Sequence, residues 1–151
     1  MTKIMDMTVC DLKQCSNLWG SIPELKFSLA FDTEERLTRF INKNEGFSTI
    51  AKYNGKLVGA LLCGNDGRRG FFYHIGVSPK HRKQKIATRM VEYSFDKLRT
   101  DGIDTCFLFT NDFNTNAQSF WKAMGFGYAP PCYVSLKRNL VSPPNKHITH
   151  K

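Results

Sequence analysis

The stretch Val77-Ser78-Pro79-Lys80-His81-Arg82-Lys83-Gln84-Lys85-Ile86-Ala87-Thr88-Arg89 runs from an apolar, strand-like end through a short loop into a helix start. The first turn of a helix presents unpaired backbone N–H groups and a partial positive charge, which together attract phosphate. Cations at that end oppose the helix dipole, at a cost of about 0.3–1 kcal/mol each. Arg82, Lys83 and Lys85 nevertheless stand there, with Arg89 one turn further in. A charged helix end shaped by stability alone would carry acids. The sign of the charge points to an anionic ligand of the phosphate type.

A second group lies downstream, in Asn114-Thr115-Asn116-Ala117-Gln118-Ser119-Phe120-Trp121-Lys122-Ala123-Met124-Gly125-Phe126. Taken singly, Asn114 reads as a helix cap and the aromatics as a core stripe. What those readings leave unexplained is the joint spacing of Asn114, Ala117, Trp121, Gly125 and Phe126 after a strand, a basic loop and a helix.

On these residues the chain resembles the GNAT acetyltransferases. That family carries (Arg/Gln)-x-x-Gly-x-(Gly/Ala) after a strand ending in Val-x-Pro, and Arg82 and Ala87 match its first and last positions. It also carries Asn-x-x-Ala, an aromatic four residues on, and Gly-Phe four residues beyond. The match spans residues 71–126. The resemblance implies acetyl-CoA as cosubstrate and no metal, with the main chain of Lys83, Gln84, Lys85, Ile86, Ala87 and Thr88 holding the pyrophosphate beside Arg82. It also implies that Asn114 meets the pantetheine arm, with Trp121 standing where the family often has tyrosine. Lys85 departs from the family's glycine, which lets backbone approach phosphate without steric cost. Its ammonium can instead pair with a phosphate directly.

The activity so implied is transfer of an acetyl group from acetyl-CoA to a primary amine by direct attack, the acceptor being a small molecule or a peptide. In the family the donor's arm follows the strand that here covers 71–77, and the backbone N–H groups of Ile75 and Val77 would bind the thioester carbonyl. Related enzymes place a base on the strand face shared here by Phe71, Tyr73, Ile75 and Val77. Strict alternation turns His74 to the opposite face, where it reads as a packed or hydrogen-bonded histidine. Tyr73 is the titratable candidate on the expected face. Tyr128, or else Tyr133, is the candidate to replace the acid lost at Trp121; the alternative is that the thiolate, with a pKa of ~8.5, leaves without help. Glu24 and Asp66 are carboxylates that could act through water, and Trp19, Glu24, Phe27 and Asp32 are expected on the acceptor side.

The elements that position these residues follow from local pattern. Alternation over 4–10 predicts a first strand, and Asp11 is placed to cap a helix carrying Leu12, Cys15, Leu18 and Trp19. Thr33 opens a second helix with Leu37, Phe40 and Ile41 on one face. Strands over 47–53 and 56–63 are joined by Asn54-Gly55, a strong hairpin turn. A strand over 71–77 precedes a helix over 85–99, whose inner stripe is Ile86, Met90, Val91, Ser94, Phe95 and Leu98. The apolar run 105–110 predicts a strand buried on both faces. A helix over 114–124, with Ala117, Phe120, Trp121 and Met124 inside and Gly125 as its C-terminal cap, leads to a last strand over 133–138. The predicted fold class is α/β, with a mixed sheet antiparallel in its N-terminal half and helices on both faces. One domain is expected over 1–140, followed by a loose basic tail over 141–151.

Composition sets the outer limits. The 151 residues suit one domain. No apolar run reaches the ~20 residues of a membrane helix, and the first residues lack a secretory pattern, so a cytoplasmic protein without membrane contact is expected. Cys10, Cys15, Cys63, Cys106 and Cys132 form no Cys-x-x-Cys pair, against both a disulfide framework and a metal site; Cys10, Cys63 and Cys106 read as small core residues. The net charge is +9. A basic nucleic-acid module and an acyl-CoA sensor without catalysis are the competing readings, the latter resting on Lys85, Trp121 and the absent base. Against nucleic acid, the basic residues gather at one helix start and the tail, without interleaved exposed aromatics. The sequence is silent on oligomeric state; family members often pair through their sheets, so the resemblance allows a homodimer.

Overall fold

A computed structural model of the chain describes residues 1–128 and 135–141. Its sheet is ordered β1 (Thr2–Asp6), β2 (Thr49–Tyr53), β3 (Lys56–Asn65), β4 (Gly70–Val77) and β5 (Cys106–Leu108). The first four strands pair antiparallel and β4 pairs parallel with β5. This is the mixed α/β sheet expected from the sequence. Helices α1 (Leu12–Gly20) and α2 (Glu34–Lys43) cover one face. Helices α3 (Ile86–Thr100) and α4 (Thr115–Ala123) cover the other.

Each face has its own core. Met7, Leu12, Cys15, Trp19, Leu37, Ile41, Ile50, Ala60 and Leu62 pack under α1 and α2. Val58, Leu61, Cys63, Phe72, Ile86, Met90, Val91, Leu98 and Trp121 pack under α3 and α4. From Ala60 to Cys63 the side chains of β3 alternate between the two cores, which is why that stretch is apolar throughout. Burial pushes the Cys15 thiol up to about 12, and its negative neighbour Asp11 adds to this. Burial and then proximity to Cys106 raise the Cys63 thiol as well.

Local signals set most boundaries. Asn54 and Gly55 both take positive φ, so the β2–β3 connection is the tight turn their types favour. The Thr33 side chain accepts from the Arg36 N–H at 3.2 Å, and Glu34 and Glu35 follow in the first turn of α2. Thr33→Ala is expected to lower stability by about 1 kcal/mol, read as a fall in the thermal midpoint. Gly125 closes α4 with φ +94°.

Five expectations require correction. The first strand stops at Asp6, because Thr8 and Asp11 form a capping box: the Asp11 carboxylate accepts from the Thr8 N–H at 2.9 Å and the Thr8 hydroxyl at 3.1 Å. Asp11 therefore serves this 3-10 turn (Val9–Asp11), and its side chain does not cap α1. Cys10 lies on the same turn and is exposed. The apolar run 105–110 yields a strand of three residues that is only half-buried, since among the described residues it pairs with β4 alone. Residues 135–138 form no strand and are exposed. Tyr133, Cys132 and all but the first residue of the 141–151 tail lie outside the described residues.

Candidate active site

Beyond Phe72 and Leu108, β4 and β5 no longer pair. The splay opens a cleft of about 620 Å³ between β4 on one side and the β5–α4 segment on the other. Its walls include Tyr73, His74, Ile75, Val77, Arg82, Ala87, Asn114 and Trp121. At one end the walls are joined. The Asn111 amide donates to the Glu24 carbonyl at 3.5 Å, and the Lys26 ammonium lies 4.6 Å from the centre of the Phe113 ring.

The backbone of β4 gives the cleft its donors. Ser78 N–H donates to the Val58 carbonyl at 2.8 Å, and the register pairs Gly59 with Val77 and Ala60 with Gly76. Successive residues of an antiparallel strand turn their polar groups to opposite edges. Gly76 and Ser78 therefore face β3, while Ile75 and Val77 direct their N–H groups across the splay. The Val77 carbonyl points the same way and accepts from Arg82 Nε at 3.3 Å.

The turn that follows is strained. Lys83 and Lys85 have φ of +61° and +60°, a left-handed conformation that costs a non-glycine residue about 1–3 kcal/mol. It brings the chain abruptly into α3, whose N-cap Lys85 supplies no side-chain acceptor to the first-turn N–H groups. Lys83, Gln84 and Lys85 are exposed at the cleft's end without lining it. Ile86 is buried, so its side chain belongs to the core and only its backbone faces the turn. Thr88 is half-buried one residue beyond Ala87.

On the opposite wall, the Asn114 side-chain oxygen accepts from the Ala117 N–H at 3.1 Å, which holds its amide group at the start of α4. Trp121 is 7% exposed and packs on Phe72 and Phe126 at 5.6 and 5.1 Å between ring centres. Its indole is part of the floor.

Alternation along β4 fails at a bulge. Leu61 pairs with Ile75 but Cys63 pairs with Phe72, so β4 carries one residue more than β3 in that interval. The extra residue reverses the phase. Tyr73 meets Phe40 at 5.4 Å on the α2 side, whereas Ile75 and Val77 pack with Phe72 on the α3 core. His74 consequently lies on the α1–α2 side, against Trp19 and Phe27 at 5.3 and 5.2 Å, and it lines the cleft. His74 is opposite Ile75 and Val77 and is packed and hydrogen-bonded, as expected, but it shares the side of Tyr73, where strict alternation would have separated the two. No signal local to β4 could have shown this, because a bulge is a property of two strands.

The remaining candidates separate. Tyr73 sits in the cleft wall, its phenol raised by partial burial and then by Cys63 and Asp66, so it holds its proton at neutral pH. Tyr128 is 80% exposed and borders a different depression of about 260 Å³ on the far side of β5. Asp66 is no base. Its carboxylate accepts from the Arg69 and Arg68 N–H groups, both at 2.9 Å, which lowers it to about 2, and it stands at the β3–β4 turn outside the cleft. Glu24 does line the cleft, and Asp32 reaches it through His74. Among the described residues no group of three or more His, Cys, Asp or Glu could hold a metal ion. Nor is any described helix long and apolar enough to cross a membrane.

A splayed β4–β5 pair, strand amides facing the gap and a strained basic turn into a helix make a cleft whose donors and cations suit a phosphate-bearing carrier. The chain belongs to the acetyltransferase (GNAT) family, whose family model matches residues 12–126. It is thus an acetyltransferase that uses acetyl-CoA. Solved structures agree in fold. The aminoglycoside N-acetyltransferase AAC(6')-Iy in complex with CoA is similar at TM-score 0.74 and 19% identity, over 92% of this chain and 96% of that one. The ribosomal-protein-S18-alanine N-acetyltransferase from Escherichia coli gives 0.71 and 20%, over 86% and 80%. PaiA N-acetyltransferase from Thermoplasma acidophilum, in complex with coenzyme A, gives 0.73 and 16%, over 84% and 90%.

Proposed function

We propose that this chain acetylates a primary amine, on a small molecule or a peptide, by direct attack of the amine on acetyl-CoA. The observation that carries the reading is the direction of the Ile75 and Val77 N–H groups into the cleft. Donors fixed in a strand need little reorganisation to stabilise an oxygen that gains negative charge. Acetyl-CoA supplies the activated acyl group. Arg82, the backbone from Lys83 to Thr88 and the N-terminus of α3 hold its phosphates, and Asn114 orients its arm against the Trp121 floor. The acceptor enters from the side of Glu24, Phe27 and Asp32. Neighbours in fold whose names specify aminoglycosides and a ribosomal-protein alanine support an amine acceptor.

Calorimetry with acetyl-CoA, followed by thiol release over a panel of aminoglycosides, polyamines and peptides with free N-termini, tests this. Binding at micromolar Kd or tighter, with release driven by at least one amine, is the expected result. Acetyl-CoA binding without turnover on any amine sinks the proposal.

A further inference from the structure

The bulge that reverses β4 leaves a histidine and a carboxylate paired on the acceptor side, 42 positions apart in sequence. His74 Nε2 lies 2.9 Å from Asp32 Oδ2, and their side chains are 19% and 15% exposed. Asp32 comes from the segment immediately before α2, whose start is fixed by the Thr33 cap. Trp19, anchored by its indole N–H to the Ala60 carbonyl at 3.1 Å, and Phe27 close on two sides of the imidazole. The charged groups around this pair are Asp32 itself, Glu24 and Lys26 of the neighbouring segment, and Arg82 across the cleft.

A carboxylate on one ring nitrogen keeps the hydrogen there and leaves the other nitrogen as a lone-pair acceptor. Nε2–H therefore belongs to Asp32. Nδ1 makes no hydrogen bond among the described residues, and the ring lines the cleft into which Ile75 and Val77 point their amides.

We propose that His74 is the group that takes the acceptor's proton, and that Asp32 is its positioning residue. The nitrogen–carbon bond forms and the carbon–sulfur bond breaks, its electron pair leaving on sulfur. The proton lost by the amine goes to Nδ1. Asp32 stabilises the imidazolium that results, and the aromatic walls keep water from competing for the proton. The inference rests on the amine-acetylation reading above and names the residue that reading lacked.

The test uses the full chain and its His74→Gln and Asp32→Asn variants. His74→Gln is expected to reduce kcat about a hundredfold or more, within the range of general-base removal. It should also remove the acid limb of the kcat/KM profile, while acetyl-CoA affinity by calorimetry stays within about threefold. Asp32→Asn is expected to reduce kcat roughly tenfold. Nitrogen-15 NMR of the wild-type chain should show the Nε2–H tautomer of His74, lost in Asp32→Asn. A His74→Gln variant with near wild-type kcat and an unchanged pH profile overturns the proposal. So does an Nδ1–H tautomer in the wild type, whatever amine proves to be the acceptor. If the wild type binds acetyl-CoA but turns over no amine, the function reading fails, and the tautomer alone decides the His74–Asp32 assignment.

Discussion

Trp19→Ala is expected to lower the unfolding free energy by about 3–5 kcal/mol, the range for removing a large buried aromatic. Trp19 is fully buried, contacts Phe27 and His74, and donates to the Ala60 carbonyl of the central strand. Domains of this size are stable by only about 5–15 kcal/mol in total. Urea denaturation followed by circular dichroism should show a large drop in the midpoint with little change in slope. Trp19→Phe keeps much of the packing and loses the indole donor, so its loss should be clearly smaller. Equal losses in the two variants would mean that the hydrogen bond, and not the ring's volume, carries the stability.

The second large effect concerns the donor end. Replacing Arg82 and Lys85 together by alanine is expected to weaken acetyl-CoA binding roughly a hundredfold. Each charge-assisted hydrogen bond contributes about 1.5 kcal/mol at the low end of its range, or roughly tenfold. Acetyl-pantetheine, which carries no phosphate, should bind the variant and the parent alike. A further variant separates charge from backbone. Lys85→Gly removes the same ammonium but relieves the left-handed strain, so it should weaken acetyl-CoA binding while raising stability by about 1 kcal/mol. If Lys85→Gly tightens binding, the lysine is an obstacle to phosphate and not its partner.

These expectations draw on parts of the molecule that were unequally legible beforehand. The β2–β3 turn, the Thr33 cap, the inner stripe of α3 and the Gly125 cap rest on interactions within a few residues, and sequence pattern states them directly. Ile75 and Val77 emerged from the family resemblance, and the Ser78–Val58 hydrogen bond gives the physical reason for their direction. His74 was hidden because its orientation depends on how β3 pairs with β4. Its link to Asp32 was hidden because the partners meet only through the packing of Trp19 and Phe27. Residues 105–110 misled for a related cause: an apolar run reports that a strand is buried, but not how many neighbours it has.

The extra residue in β4 acts on that strand much as a frameshift acts on a message. Every side chain past it is transposed relative to the sheet, although the letters are unchanged. Adding one residue to β3 opposite the bulge would restore strict alternation, return Ile75 and Val77 to the side of Tyr73 and carry the histidine out of the acceptor's reach. Two homologues matching letter for letter along this strand could thus offer opposite chemistry. Comparison between them has meaning only once the pairing with β3 has been aligned first.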